Sequence, residues 1–207
     1  MVIREYRPED LPALAALFYD TVHAVCAADY TLAQLDAWAP ADMDASAWAA
    51  SLAAHHTVVA VEGGTIVGFG DMAADGYLDR LFVHKDFQRR GVAKAICDAL
   101  EGASGAERFT THASITARPF FEKRGWRILT AQTVERRGVF LTNYRMERRR
   151  WPFTGPSGTV CGKTGRFFSR SGGFSAIFPL TFERDSCKLF DVVKRSSFTE
   201  IKGRGFP

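Results

Sequence analysis

Leu81-Phe82-Val83-His84-Lys85-Asp86-Phe87-Gln88-Arg89-Arg90-Gly91-Val92-Ala93-Lys94 is the stretch that decides the fold. An apolar strand runs into a short basic turn, and the turn runs straight into a helix whose apolar face is Val92, Ala95, Ile96, Ala99 and Leu100. The first amides of a helix have no intrahelical partner and point outward at the positive end of the dipole, which makes that end an anion site, above all for phosphate. Gly91 puts no Cβ in the path of a ligand approaching the backbone, Ala93 keeps the next contact small, and Arg89, Arg90 and Lys94 add positive charge. The alternative reading is a solvated basic turn. Neither G-x-x-x-x-G-K nor G-x-G-x-x-G occurs here, which disfavours a Walker A loop and a dinucleotide fold.

Working outward, Tyr77 to Val83 reads as a strand, buried on both faces near its end. Thr57–Glu62 and Thr65–Gly70 around Gly63-Gly64 read as a hairpin. Upstream, Glu9-Asp10-Leu11-Pro12 opens an amphipathic helix to about Cys26, Thr31–Trp38 is a short second helix, and Asp44 caps a third to His55. Downstream come a strand at 108–113, a helix at 116–123 ended by Gly125, and strands at 127–133 and 138–147. The predicted order is three helices, three strands, helix, strand, helix and two strands: an α/β domain on one mixed, mostly antiparallel sheet flanked by helices.

Gln88-Arg89-Arg90-Gly91-Val92-Ala93 resembles the Gln/Arg-x-x-Gly-x-Gly/Ala signature of the GNAT superfamily of N-acetyltransferases. Ala117-Arg118-Pro119-Phe120-Phe121-Glu122-Lys123-Arg124-Gly125-Trp126 is similar to the family's A-x-x-F-Y-x-x-x-G-F helix, and the wording from Ala117 onward with the closing Gly138–Tyr144 looks like the YafP-like branch. The resemblance covers about residues 1–148. It implies the GNAT fold and transfer of acetyl from acetyl-CoA, as co-substrate, to a primary amine of a small molecule or protein. It also implies that the pyrophosphate lies on the amides of Arg89 to Lys94, that pantetheine pairs with the backbone of Leu81, Phe82 and Val83, and that Gln88 and Phe121 belong to the cofactor region. Asp79, the one acid on 77–83, is the implied base. Alternation puts it on the face of Tyr77 and Leu81, and an Asp79 paired with a nearby arginine is the other reading. Phe121 stands where the family's acid tyrosine would be and a phenyl ring donates no proton, so Tyr144 becomes the candidate acid; Ser114 replaces a frequent asparagine. That departure also motivates a rival, a non-catalytic acetyl-CoA-binding sensor or interaction domain. Tyr30 and Trp38, against a core role for each, are the acceptor-pocket candidates.

Composition bounds the rest. The chain has 207 residues, 46% hydrophobic and 24% charged, enough for one good core. Residues 1–150 carry 18 basic and 19 acidic side chains, and residues 151–207 carry nine and four, so the net charge of +4 arises in the tail. Alanine falls from 27 to one across the same point, which sets a boundary after Arg150. The tail, rich in Gly, Ser and Phe, is read as a loosely ordered extension, as a basic aromatic tether for nucleic acid, or as a non-native extension. No run of 18 uninterrupted apolar residues and no secretory h-region occur, and the four cysteines form no C-x-x-C pair, so a reducing cytoplasm is expected, with no membrane partner. His55 and His56 sit together with no ligand partner at useful spacing, His84 and His112 stand alone, and no metal is predicted. Monomer and homodimer remain open.

Overall fold

The computed structural model describes residues 1–150; the expectations for 151–207 lie outside the described residues. Seven strands form one sheet in the order β1-β2-β3-β4-β5-β7-β6. They are β1 (Val2–Glu5), β2 (His56–Glu62), β3 (Thr65–Met72), β4 (Tyr77–Val83), β5 (Arg108–Ser114), β6 (Arg127–Arg136) and β7 (Val139–Arg149). Every pairing is antiparallel except β4 with β5. The helices are α1 (Leu11–Val25), α2 (Leu32–Trp38), α3 (Ala45–Ala54), α4 (Val92–Ala103) and α5 (Arg118–Lys123).

The element β1 corrects the sequence reading, which has no strand before α1. Val-Ile-Arg-Glu is too short and too charged to announce itself; it is a strand because β2 offers an edge, pairing Val2 with Val61 through Glu5 with Val58. The predicted cap at Asp44 is present, and the structure adds a second at Thr31. Asp44 Oδ1 accepts from the amides of Ser46 and Ala47, and Thr31 and Gln34 form a capping box at α2. The helix α5 is shorter than the sequence suggests, and its entry turn is held by Ser114 Oγ accepting from the Ala117 amide (3.0 Å).

Two cores lie on opposite faces of the sheet. Under α1, α2 and α3, Leu14, Val22, Leu52, Val59 and Phe69 are wholly buried; under α4 and α5, Val67, Ile96, Cys97 and Leu100 are. Each large aliphatic side chain so buried contributes about 1.5–3 kcal/mol. With its flanking 3-10 turns, α1 forms an apolar run, Pro8–Ala28, of membrane-spanning length. Its Leu14, Leu17, Phe18 and Val22 are buried against the sheet. The helix α4 lies close on β3 because Gly68 and Gly70 carry no side chains: a Cβ on Gly70 would stand 2.8 Å from Ile96 Cγ2 and 2.9 Å from the Arg80 carbonyl. Glu101 on α4 is bracketed by Arg124 (2.9 Å) and Arg148, which tie the helix to the end of β7.

Candidate functional site

The site begins where β4 and β5 part. Their parallel ladder has two rungs, Tyr77 with Thr110 and Leu78 with Thr111, reinforced by Thr111 Oγ1 donating to the Leu78 carbonyl (2.8 Å). Beyond Leu78 there are no further rungs. Leu81 and Phe82 are therefore half-buried, not enclosed on both faces as the apolar run suggests, because the neighbouring strand has moved away.

The V so formed opens toward the basic turn. Gly91 is the N-cap of α4 with φ +82°, and among the described residues no side chain caps that end and a Cβ there would meet nothing within 4 Å. The amides of Val92, Ala93 and Lys94 thus face a space that a phosphate could fill. Arg89 is also left-handed (φ 61°), a conformation costly for a side-chain-bearing residue and held here by the turn. Two of the cations are already paired: Arg90 with Glu62 (2.6 Å), its guanidinium over the Phe87 ring, and Lys94 with Asp98 (2.6 Å). Gln88 turns inward, its Nε2 donating to the Val83 carbonyl (2.6 Å), which also accepts from Thr21 Oγ1 (3.3 Å). Of the three strand residues expected to pair with pantetheine, Val83 therefore has its carbonyl engaged.

Asp79 lies at the apex of the V, but alternation does not orient it. The β3–β4 register shifts so that Asp71 faces Arg80 and Met72 faces Leu78, leaving Asp79 without a partner in a bulge. In consequence Leu78, Leu81 and Val83 pack on the α4 side, whereas Arg80 turns to Ser51 and Trp48 of α3. Asp79 does not share the face of Leu81; its carboxylate pairs with Arg80 Nη2 (3.2 Å) and is one-third exposed. The fold adds two groups that sequence spacing could not connect. Asp71, fully buried, lies 2.8 Å from Arg80 Nε and 2.5 Å from His55 Nδ1. His55, Asp71 and Asp79 each offer an atom within 4.8 Å of the others, and the cation that they face is the Arg80 guanidinium.

The remaining candidates separate into wall and core. Trp38 is half-buried, edge-on to Tyr30 (centroids 5.5 Å) and 6.3 Å from Phe82, so the two half-buried rings form an aromatic wall on the α1–α3 side of the V. Tyr30 is a brace: its hydroxyl donates to the Thr142 carbonyl (2.8 Å) and accepts from the Ile115 amide (2.9 Å). Phe121, 2% exposed, packs on Trp126 in the core and presents no group to the cleft. Tyr144 is half-buried on β7 with the Arg118 guanidinium 4.7 Å over its ring. Beside it, Asn143 Oδ1 is buried with no hydrogen bond among the described residues, a polar acceptor near the cleft that nothing in the local sequence marks.

A mixed sheet that parts between its two parallel strands, above a helix whose N-terminus is left open, is the framework of an acyl-CoA-type acyltransferase. The chain belongs to the GNAT acetyltransferase family: the Acetyltransferase (GNAT) domain matches residues 26–148. It is 38% identical over 144 residues to the N-acetyltransferase YafP of Escherichia coli (strain K12), described as uncharacterized, covering 70% of this chain and 93% of that protein. It is similar to the crystal structure of a GCN5-related N-acetyltransferase from Rhodopseudomonas palustris, at 37% identity and a TM-score of 0.69, covering 72% of this chain and 95% of that one. The fold is also that of the PaiA N-acetyltransferase of Thermoplasma acidophilum, solved in complex with coenzyme A, at 15% identity and a TM-score of 0.60 over 72% and 98% of the two chains.

Proposed function

We propose that the chain transfers the acetyl group of acetyl-CoA to a primary amine of a small molecule or protein, in the cytoplasm. The observation that carries this reading is the V between β4 and β5 leading onto the open N-terminus of α4. The residues fit the co-substrate. Amides 92–94 receive the pyrophosphate beside Gly91, and an extended linker takes the place of a strand beside Leu81 and Phe82, where the β4–β5 ladder has no rungs. An amide of β4 at the apex polarises the thioester carbonyl.

The amine enters along the wall of Trp38 and Phe82. It loses a proton toward Asp79, and its lone pair forms the new C–N bond at the carbonyl carbon. The C–S bond breaks with its electron pair going to sulfur. CoA is a good leaving group, and Tyr144 is the proton donor nearest the family's arrangement.

Titration of the full chain with acetyl-CoA, followed by thiol release with a panel of primary amines, tests this. One-to-one binding with amine-dependent thiol release is expected. Binding without release from any amine would support the sensor reading, and absence of binding would overturn both.

A further inference from the structure

Resting on the function proposed above, we infer that the proton lost by the acceptor amine ends on His55, handed over at Asp79, and that buried Asp71 is a positioning residue that holds the imidazole for this task. The geometry is that of an aspartate–histidine pair placed beside the cleft. Asp71 has no exposed surface and lies 2.5 Å from His55 Nδ1, so the other ring nitrogen is left for proton exchange through the exposed fifth of the side chain. Asp79, the residue at which β4 leaves β5, lies within 4.8 Å of the other two groups.

Charge counting supports the assignment. The groups facing His55 are Asp71 from β3 and Asp79 and Arg80 from β4; Ser51 of α3 holds Arg80, and His56 turns away to Glu5 on β1. Two carboxylates against one guanidinium leave one negative charge, which an imidazolium cancels. The cluster has room for a single proton. The hydrogen bond to Asp71 pushes His55 up from the usual histidine range, against an opposing effect of burial, while burial pushes the Asp71 carboxyl up. Both shifts favour the pair with its proton on. A raised histidine binds a proton more strongly than a free imidazole, and it is the unprotonated form of the pair that accepts the proton of the amine.

Atoms balance as follows. The ammonium gives one proton to the cluster, the free amine forms the C–N bond, and the C–S bond breaks. The thiolate takes a proton from the Tyr144 hydroxyl, which regains it from the new amide nitrogen, and the cluster returns its proton to solvent.

The test has two arms on the full chain. In the first, NMR titration of the histidine ring signals, assigned with His55→Gln, is expected to place the His55 midpoint above about 6.5, the unperturbed value, and Asp71→Asn is expected to lower it. A wild-type midpoint at or below that value overturns the inference. In the second, His55→Gln is expected to lower kcat/KM by about 10–100-fold at neutral pH and to remove the matching inflection from its pH profile, with acetyl-CoA affinity unchanged and added imidazole restoring part of the rate to His55→Ala. An unchanged profile overturns the inference. If the wild type turns over no amine, the proposed function fails. The NMR midpoint then still decides whether this cluster holds the proton, and the handover to His55 falls with the reaction. Should Asp71→Asn not fold, the wild-type midpoint and the His55 variants carry both arms.

Discussion

Gln88 Nε2 donates to the main-chain carbonyl of Val83 at 2.6 Å, so the glutamine that opens the basic turn before α4 is a clasp on the strand that feeds it. It links the end of β4 to the turn before α4, the two surfaces on which the proposed co-substrate would lie. Gln88→Ala leaves that carbonyl with Thr21 alone. We expect a loss of about 1 kcal/mol in urea unfolding and a several-fold weaker acetyl-CoA affinity by calorimetry. Affinity equal to the wild type would mean that the turn holds its shape without the clasp.

Gly91→Glu and Gly91→Ala differ in charge while sharing the strain of a left-handed residue. Each should cost about 1–2 kcal/mol of stability, because a Cβ there meets nothing within 4 Å among the described residues and the φ of +82° is unfavourable. Only the glutamate places a carboxylate over the α4 amides, so it alone is expected to abolish acetyl-CoA binding. Equal binding by the two variants would place the anion site elsewhere.

Glycine-to-alanine changes of opposite sign test the seating of α4. Gly70→Ala drives a methyl against Ile96 and the Arg80 carbonyl and should destabilise by about 1–3 kcal/mol. Gly102→Ala, within the same helix and with nothing among the described residues within 4 Å of the new Cβ, should stabilise by about 0.5–1 kcal/mol. Thermal midpoints that move in the same direction would contradict the close approach of α4 to β3.

Acid sensitivity should begin at the β1–α1 junction. The Arg4 guanidinium, bonded to both oxygens of Asp10, holds that carboxyl below the usual carboxylate range, against the opposing effect of burial. A depressed folded value adds stability that is complete above the unfolded value and is lost as pH falls through the folded one. Arg4→Met should therefore flatten the loss of stability on acidification below about pH 4, with little further change near neutrality beyond the constant offset. Parallel acid-unfolding curves for the two proteins would refute this.

Tyr30→Phe and Tyr144→Phe are expected to divide stability from rate. Removing the Tyr30 hydroxyl unpairs the Thr142 carbonyl and the Ile115 amide and should cost about 1–3 kcal/mol in unfolding. Tyr144→Phe should leave stability nearly unchanged and slow thiol release if its hydroxyl protonates CoA. Wild-type kcat in Tyr144→Phe would assign that proton to water.

What could be read from sequence was what local chemistry determines. The run from Leu81 to Lys94 announces strand, turn and helix because periodicity, glycine and helix-start chemistry coincide within fourteen residues, and the cap at Asp44 is equally local. The strand β1 was hidden because only its pairing with β2 makes it a strand. The bulge at Asp79 was hidden because a register shift depends on two strands at once, and it reversed the face that alternation assigns. His55 and Asp71 are separated by a helix end and a hairpin, so nothing in their spacing predicts a 2.5 Å contact. Tyr30 and Phe121 have the chemistry of site residues; their burial, which only the packed structure reveals, makes one a brace and the other core.

If the proposed co-substrate lies in the V, the two-rung seam between β4 and β5 means that its linker is held chiefly by main chain. Peptide groups are the same whatever side chains they carry, so grip on such a linker is independent of the identities of Leu81 and Phe82. Phe82 is thereby released to shape the wall on the α1–α3 side, where its ring stands 6.3 Å from Trp38, while Leu81 packs toward α4. A scaffold arranged in this way can change which amine it accepts by substitution along one strand while its hold on the acetyl donor stays as it was.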